Sequence, residues 1–348
     1  MANNIRLLAE WEPQAAILLA LPHLSTDWNY VLEQSHRQYK RLIEALLAHN
    51  YTVILLKSAE EDITEWLNSF TCSCDRLFLV NAIYNDTWTR DYGPITVIKN
   101  GELRVLDFGF NGWGLKFAAD KDNLVNLHLA EKGILSPSIY RNNRDFELEG
   151  GSIETDGKGT LLTTSRCLCS PNRNGGKTKQ ELTEILQRRL GVSHILWLDY
   201  GALAGDDTDS HIDTLARMAP DDTILFVGCR NIDDEHFEEL LKMRAQLTML
   251  RTPEGKPYNL IELPLPDPIY DSNGQRLPAT YANYLITDHH IFMPTYGQPE
   301  NDMLASQTIR IAFPNHEVIG VDCTTLILQH GSLHCATMQL YPGETLYD

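Results

Sequence analysis

Residues 28–56 read WNYVLEQSHRQYKRLIEALLAHNYTVILL. Trp28, Val31, Leu32, Tyr39, Leu42, Ile43, Leu46 and Leu47 recur there at steps of three and four, which lines them along one stripe of a helix and predicts packing against a sheet. The run Tyr51 to Leu56 that follows predicts a buried strand. Ser58 with Glu61 has the form of a capping box, predicting a short helix to about Phe70, and residues 77–80 read as the next strand. Thr178 with Glu181 repeats the box ahead of a helix through Leu190, which Gly191 stops before a strand at 194–198. The rhythm returns with strands at 223–227, 281–286 and 316–321 and helices at 233–247 and 302–312. Strands alternating with helices make this an α/β chain. No glycine-rich phosphate fingerprint follows an early strand and there is no P-loop, which argues against a nucleotide-binding fold. The recurring units permit a repeated architecture, and no Pro, Ser or Gly-rich linker divides them, so a single domain over 1–348 is expected.

The 348 residues carry 47 Asp and Glu against 29 Lys and Arg, a formal net charge of -18. That balance opposes nucleic acid and anionic lipid, whose binders neutralise phosphates with Lys and Arg, and favours a cationic ligand. The 7 cysteines are odd in number and sparse for the length. They suit a reduced, cytoplasmic protein better than a disulfide-stapled one. The apolar stretch at 15–21 has acidic flanks and is not an export signal, and no apolar run approaches the roughly 20 residues of a membrane-spanning helix. Self-association is compatible with the sequence.

Four polar segments beside predicted strands concentrate chemistry: residues 85–94 (NDTWTRDYGP), 147–152 (ELEGGS), 206–213 (DDTDSHID) and 330–335 (HGSLHC). They offer a thiol, a histidine, several carboxylates and few cations. A cysteine nucleophile needs a thiolate and a nearby proton carrier, while carboxylates around the same point suit a cationic electrophile. A guanidinium or amidinium substrate fits that set. If the chain is extended at 211–213, His211 and Asp213 share a face and can meet one ligand together.

Each residue also has an ordinary role open to it. Cys335 could be a small buried hydrophobe, His211 a satisfied partly buried histidine, and Asp213 a turn or cap residue. Glu149 and Asp91 could lead into turns, and Trp88 and Trp113 could be core or lid aromatics. His330 and His334 have the i, i+4 spacing of helical zinc ligands, but Gly331 and Ser332 disfavour a helix. The pairs Cys72/Cys74 and Cys167/Cys169 are spaced too tightly for an ordinary four-thiolate zinc site.

Taken in order, residues 9–13 (AEWEP), 85–94, 110–114 (FNGWG), 148–153 (LEGGSI), 172–174 (NRN), 207–213 and His334-Cys335 closely resemble the motifs of the agmatine deiminases. These belong to the guanidine-modifying superfamily, with the arginine deiminases and bacterial-type peptidylarginine deiminases. The resemblance spans nearly the whole chain. It implies a five-bladed α/β propeller of ββαβ units with pseudo-fivefold symmetry and an active site on the axis. By motif match it implies Cys335 as nucleophile, His211 as general acid and base, and Glu149 as the carboxylate orienting the guanidinium and His211. Asp91 and Asp213 would grip the guanidinium nitrogens, and neither metal nor organic cofactor would be needed.

Two departures bear on geometry. The nucleophile in this family usually follows a triple glycine and an asparagine, whereas this chain has His330-Gly331-Ser332-Leu333, and the residue before the catalytic histidine is commonly glycine but here is Ser210. For agmatine as the small cationic substrate, Asp207, with Asp206 or Asp209 behind it, is the expected partner of the distal amine, and Trp88 or Trp113 the cover over the methylenes. Competing readings are a peptidylarginine or other guanidine deiminase, a polyamine-binding protein without turnover, and a metal-dependent amidohydrolase built on His330 and His334.

Overall fold

Strands Ala16–Ala20 and Thr52–Lys57 run parallel, joined by helix Leu32–Ala48. Every residue of the first strand and all but the last of the second are buried, as parallel strands covered on both faces require. The helix turns Tyr39, Leu42, Ile43, Leu46 and Leu47 onto them, the stripe read from the sequence. Full burial of such side chains contributes on the order of 1.5–3 kcal/mol each.

The computed structural model describes residues 4–347, a mixed α/β fold whose strands form five small sheets. Each sheet repeats one plan: an antiparallel pair of strands, a helical connection, then a strand parallel to the second. Ile95–Lys99 and Glu102–Gly109 pair antiparallel, and Tyr140–Glu147 returns parallel after helix Val125–Glu131. Ile153–Thr155 and Thr160–Thr164 do the same with His194–Leu198 across helix Lys179–Leu190. Ala216–Ala219, Thr223–Val227 and Asn259–Leu263 use helix Phe237–Met249. Leu285–Ile286, His290–Thr295 and Glu317–Asp322 use helix Pro299–Ala312. In the fifth sheet the antiparallel partner of Ala16–Ala20 comes from the far end of the chain, Met338–Leu340. Edge strands Ile5–Leu7 and Leu77–Asn81 extend the first and fifth.

Some sequence expectations shift. The Thr178 capping box is present with both of its hydrogen bonds, and Gly191 ends that helix at φ 74°. The Ser58–Glu61 box does not form: Ser58 Oγ accepts from the Glu60 N–H, Glu61 accepts from the Leu24 N–H, and the helix starts later, as Thr64–Asn68. The strand expected at 281–286 is only Leu285–Ile286, because Tyr281, Ala282 and Asn283 lead into the site described below. Among the described residues no helix is long and apolar enough to cross a membrane.

Candidate active site

Five polar segments occupy equivalent places, each just ahead of the first strand of its unit. Asp91 lies on the turn Thr89–Tyr92 before Ile95–Lys99, and Glu149 precedes the turn Gly150–Ser152 before Ile153–Thr155. His211 and Asp213 lie at the turn Ile212–Thr214 before Ala216–Ala219, Asn283 before Leu285–Ile286, and Cys335 before Met338–Leu340. The extended-strand argument for His211 and Asp213 is therefore corrected, because Asp213 lies within a 3-10 turn and His211 just ahead of it. They converge all the same. A Cβ on Gly151 would come within 2.7 Å of His211 Nδ1, 2.8 Å of Asp91 Oδ1 and 3.1 Å of Asp213 Oδ2, so Gly151 is a floor on which no side chain fits.

Cys335 is buried, its Sγ 3.3 Å from Asn283 Oδ1 and 3.8 Å from Asp213 Oδ2. Burial, then the carboxylates of Asp213 and Asp91, push its thiol well above the ordinary range. Asn283 fastens this corner: its Oδ1 accepts from the N–H of His334 at 3.0 Å and of Cys335 at 3.3 Å, while its Nδ2 donates to Asp213 Oδ2 at 3.1 Å. Asp213 Oδ2 also meets His334 Nδ1 at 2.8 Å. Burial raises the Asp213 carboxyl, but the hydrogen bond and charge of His334, with His211 and Arg217, outweigh it and hold Asp213 below the usual carboxylate range.

Asp91 accepts from Trp113 Nε1 at 2.9 Å and from the Gly151 N–H at 3.1 Å. Burial pushes it up to about 6, opposed by His211 and reinforced by Asp213. Its Oδ1 is 3.4 Å from His211 Nδ1. Trp113 reaches Asp91 from a run of left-handed backbone, Gly112 to Leu115, with φ values of 69°, 55°, 82° and 68°. Glu149 gives Oε1 to Arg173 Nε at 2.7 Å, and Arg173, fully buried, continues to Asp209 Oδ2 at 2.6 Å and the Thr208 carbonyl at 3.0 Å.

What remains is a set of buried polar atoms with no hydrogen-bond partner among the described residues: Glu149 Oε2, both ring nitrogens of His211, and Asp213 Oδ1. Buried groups are nearly always hydrogen-bonded, and each exception calls for a reason. Asp91, which meets His211, and Cys335, which meets Asp213, also line a cavity of about 660 Å³, counting its open mouth, together with Trp88, Trp113, Phe117 and Gly331. The same lining carries Asp27, Asp86, Asp207, Gln329 and His330, and no Lys or Arg. Gly331 keeps the one glycine this loop cannot lose, since a Cβ there would come 2.3 Å from the Trp88 ring.

Of the residues expected at the distal end, Asp207 lines the cavity with Oδ2 3.8 Å from His330 Nδ1. Its two stand-ins are engaged elsewhere. Asp206 accepts from Thr208 and Ser210 within its own loop, and Asp209 is paired with Lys116 and Arg173. Those bonds also hold Asp209 and Ser210 left-handed, at φ 64° and 66°, a conformation that costs a non-glycine residue about 1–2 kcal/mol. The turn before His211 thus keeps a glycine-like shape without glycine. His330 is likewise left-handed, at φ 65°, with Nδ1 2.7 Å from the Gly205 carbonyl.

The sequence reading assigned no role to Asn283, Arg173 or Asp86, and weighed His334 only as a metal ligand. Asn283 has a signal only in retrospect, from its place ahead of a first strand. Asp86 stands beside Trp88 in the same motif, and burial pushes its carboxyl up to about 7, opposed by the Thr87 N–H and helped by Asp27. His330 and His334 point to different places, the first to the cavity mouth and the second to Glu10 and Asp213, so they do not form the helical pair weighed above. Glu149, Cys167 and His211 could in principle ligate one ion, their donor atoms lying within 4.8 Å of one another. Arg173 already neutralises Glu149, and burial, then the Glu149 charge, push the Cys167 thiol well above the ordinary range, a poor state for a ligand.

Residues 6–341 match the family model described as Porphyromonas-type peptidyl-arginine deiminase. A Shewanella putrefaciens protein named "Putative agmatine deiminase" is 32% identical over 362 aligned positions, covering 97% of this chain and 94% of its own. A cysteine-to-serine variant of C. jejuni agmatine deiminase, solved with substrate bound, superposes with a TM-score of 0.90 at 36% identity over 98% of both chains. The structure named "Putative Arginine Deiminase" from Porphyromonas gingivalis does so with a TM-score of 0.91 at 43% identity, over 98% of this chain and 99% of that one. The match runs through all five units and every segment that lines the site, and the chain belongs to the Porphyromonas-type peptidyl-arginine deiminase family.

Proposed function

We propose that this protein is an agmatine deiminase, hydrolysing agmatine to N-carbamoylputrescine and ammonia through a covalent intermediate on Cys335. The observation that carries the reading is the set of orphaned polar atoms around the thiol: Glu149 Oε2, Asp213 Oδ1 and the His211 nitrogens. A guanidinium is planar, cationic and rich in N–H donors, so it supplies what those carboxylate oxygens lack. The five sheets, each with its site segment ahead of its first strand, are proposed as blades of one catalytic α/β propeller with pseudo-fivefold symmetry. The acidic composition and sparse cysteines support a cytoplasmic setting.

Asp91, Asp213 and Glu149 hold the guanidinium with its central carbon against Cys335 Sγ. In the free protein the same carboxylates oppose a thiolate. The bound cation offsets their charge, so ionisation of Cys335 is coupled to substrate. The thiol proton passes to His211 as sulfur attacks carbon, and His211 returns it to the departing nitrogen. Ammonia leaves and an S-alkylthiouronium remains. His211 then takes a proton from water, which adds to that carbon, and collapse restores the Cys335 thiol and releases the urea product. Agmatine plus water thus balances N-carbamoylputrescine plus ammonia, with no redox step.

Free arginine would bring its α-carboxylate toward Asp27, Asp86 and Asp207, with no Lys or Arg on the cavity lining to receive it. An amine is the complementary group there, which supports agmatine over arginine, and Trp88 and Trp113 cover the methylenes between. The test is incubation of the purified protein with agmatine under chelator, following ammonia and N-carbamoylputrescine. Equal amounts of both support the reading. Turnover of arginine but not agmatine contradicts it.

A further inference from the structure

His334, next to the nucleophile, has no part in the chemistry above, yet it is fully buried with both ring nitrogens engaged. Nδ1 is 2.8 Å from Asp213 Oδ2 and Nε2 is 2.7 Å from Glu10 Oε1. Glu10 is held in turn by Arg90 Nη1 at 3.0 Å and Arg217 Nη2 at 2.7 Å, and Arg217 Nη2 also lies 3.2 Å from His334 Nε2. Arg217 is itself fixed by Glu154 and by the carbonyls of Ala282 and Tyr284. A chain of contacts therefore runs from the N-terminal segment, through the residue beside Cys335, to Asp213, whose Oδ2 lies 3.8 Å from the Cys335 thiol.

An ionised carboxylate can only accept, so the short contact at Nδ1 has the ring donating to Asp213 Oδ2. Asn283 Nδ2 donates to the same oxygen at 3.1 Å. Two donors on Oδ2 fix the rotation of the carboxylate and leave Oδ1, buried and without a hydrogen-bond partner among the described residues, as the oxygen offered to a ligand. Burial, with Arg217 and Arg90, pushes the His334 imidazole down, while Glu10 and Asp213 pull against them. The Nδ1–H is present both in the cation and in one neutral tautomer, so the Asp213 contact survives loss of the ring's charge, whereas the Nε2 contact to Glu10 Oε1 needs the cation, and in the neutral ring Nε2 could only accept from Arg217 Nη2.

We propose that His334 is the positioning residue for Asp213: anchored by Glu10 and Arg217, it turns Asp213 Oδ1 toward the substrate guanidinium and holds it there. The inference rests on the guanidinium reading of the site. Asp91 is held differently: its Oδ2 accepts from the Trp113 indole and its Oδ1 from the Gly151 N–H, with His211 Nδ1 3.4 Å from Oδ1 and, among the described residues, no second buried histidine behind it. The two carboxylates that face the guanidinium thus differ in how they are held.

The test uses the full chain carrying Cys335→Ala, so that a bound guanidine is not turned over, and measures binding of agmatine and, in parallel, of arginine by calorimetry. His334→Asn keeps a donor near the place of Nδ1, and His334→Leu fills the space without one. Leu is expected to weaken binding about tenfold or more and Asn by less than about threefold, although Asn leaves the larger cavity. In an Asp213→Asn background the Leu change should add less than about twofold, because its effect passes through that carboxylate. Where His334→Leu does not fold, His334→Gln, whose amide reaches the place of Nε2 and leaves Asp213 Oδ2 with one donor fewer, gives the same contrast with Asn. Equal losses for Asn and Leu, or losses that multiply with Asp213→Asn, overturn the proposal by marking a packing role. If arginine binds and agmatine does not, the substrate reading fails and the His334 contrast is read on arginine. If neither binds, both readings fall.

Discussion

Two clusters of buried charge meet at Asp213 and are built from the same residue types. Behind it lie Glu10, Glu154, Arg90, Arg217 and His334, where every carboxylate oxygen is met. Glu10 receives Arg90, Arg217 and His334, and Glu154 receives Arg217 Nε at 2.5 Å and the Met218 N–H at 2.9 Å. In front lie Asp91, Glu149, His211 and Asp213, where Glu149 Oε2, Asp213 Oδ1 and the imidazole nitrogens are left without hydrogen-bond partners among the described residues. Both sides are largely buried, with Glu10 the most exposed member, but satisfaction is not shared. A buried polar atom left unpaired costs roughly 1–3 kcal/mol, a cost the back cluster avoids and the front cluster bears until a guanidinium arrives. Burial of ionisable groups therefore does not separate the two clusters, whereas their unmet hydrogen bonds, gathered around the Cys335 thiol, do.

The sharpest way to break this contrast is to remove one group from each side. Cys335→Ala is expected to lose turnover by on the order of 10⁴-fold or more while its melting temperature stays within a few degrees of wild type. His211→Ala should lose comparably, because it serves both half-reactions. Arg217→Leu should act chiefly on stability, with a smaller loss of substrate binding passed through His334 and Asp213. It strands Glu10 and Glu154 without their shared cation and is expected to destabilise the fold by about 3–5 kcal/mol, measured by chemical denaturation. If Arg217→Leu is as stable as wild type, the back cluster is not the structural half of the pair.

A smaller effect sharpens the front. Asp91 sits at about 6 in the free protein, pushed up by burial, and it must be ionised to receive a cation. Above that pH the anion is present. As pH falls through about 6 the proton goes on and kcat/KM for agmatine should fall about tenfold per unit. A kcat/KM that holds level down to pH 5 would mean that Asp91 does not meet the substrate. The smallest expected change is at the mouth, where Asp207→Asn should lower the preference for agmatine over arginine by less than about tenfold, read as the ratio of the two specificity constants. An unchanged ratio would move the amine to Asp86 or Asp27, which share that lining.

Much of this was legible in the sequence because the local signals were strong and compatible. The helix over residues 32–48 declared its stripe, Thr178 and Glu181 their box, and the strands at 194–198 and 223–227 their exact bounds. Ser58 and Glu61 carry the same box letters, but Glu61 accepts from Leu24 in another segment, a tertiary contact that no local pattern contains. The motif letters named Asp91, Glu149, His211, Asp213 and Cys335, and these side chains line one site. The motif string alone did not tell which oxygens are free. Asn283 and Arg173 decide that, yet Asn283 stands in an unremarkable run and Arg173 pairs with Glu149 across 24 residues. Asp206, Asp207 and Asp209 look interchangeable in sequence and separate only when Thr208, Ser210, Lys116 and Arg173 claim the first and the last.

The central claim is that the unmet polar atoms hold a guanidinium against the Cys335 thiol for covalent attack. The most direct measurement is mass spectrometry of the wild-type protein quenched with acid during turnover of agmatine, followed by peptide mapping. The account predicts an adduct equal in mass to agmatine less ammonia, carried on the peptide containing Cys335 and lost once substrate is exhausted. Steady release of N-carbamoylputrescine with no adduct on Cys335, together with retained activity in Cys335→Ala, would contradict it.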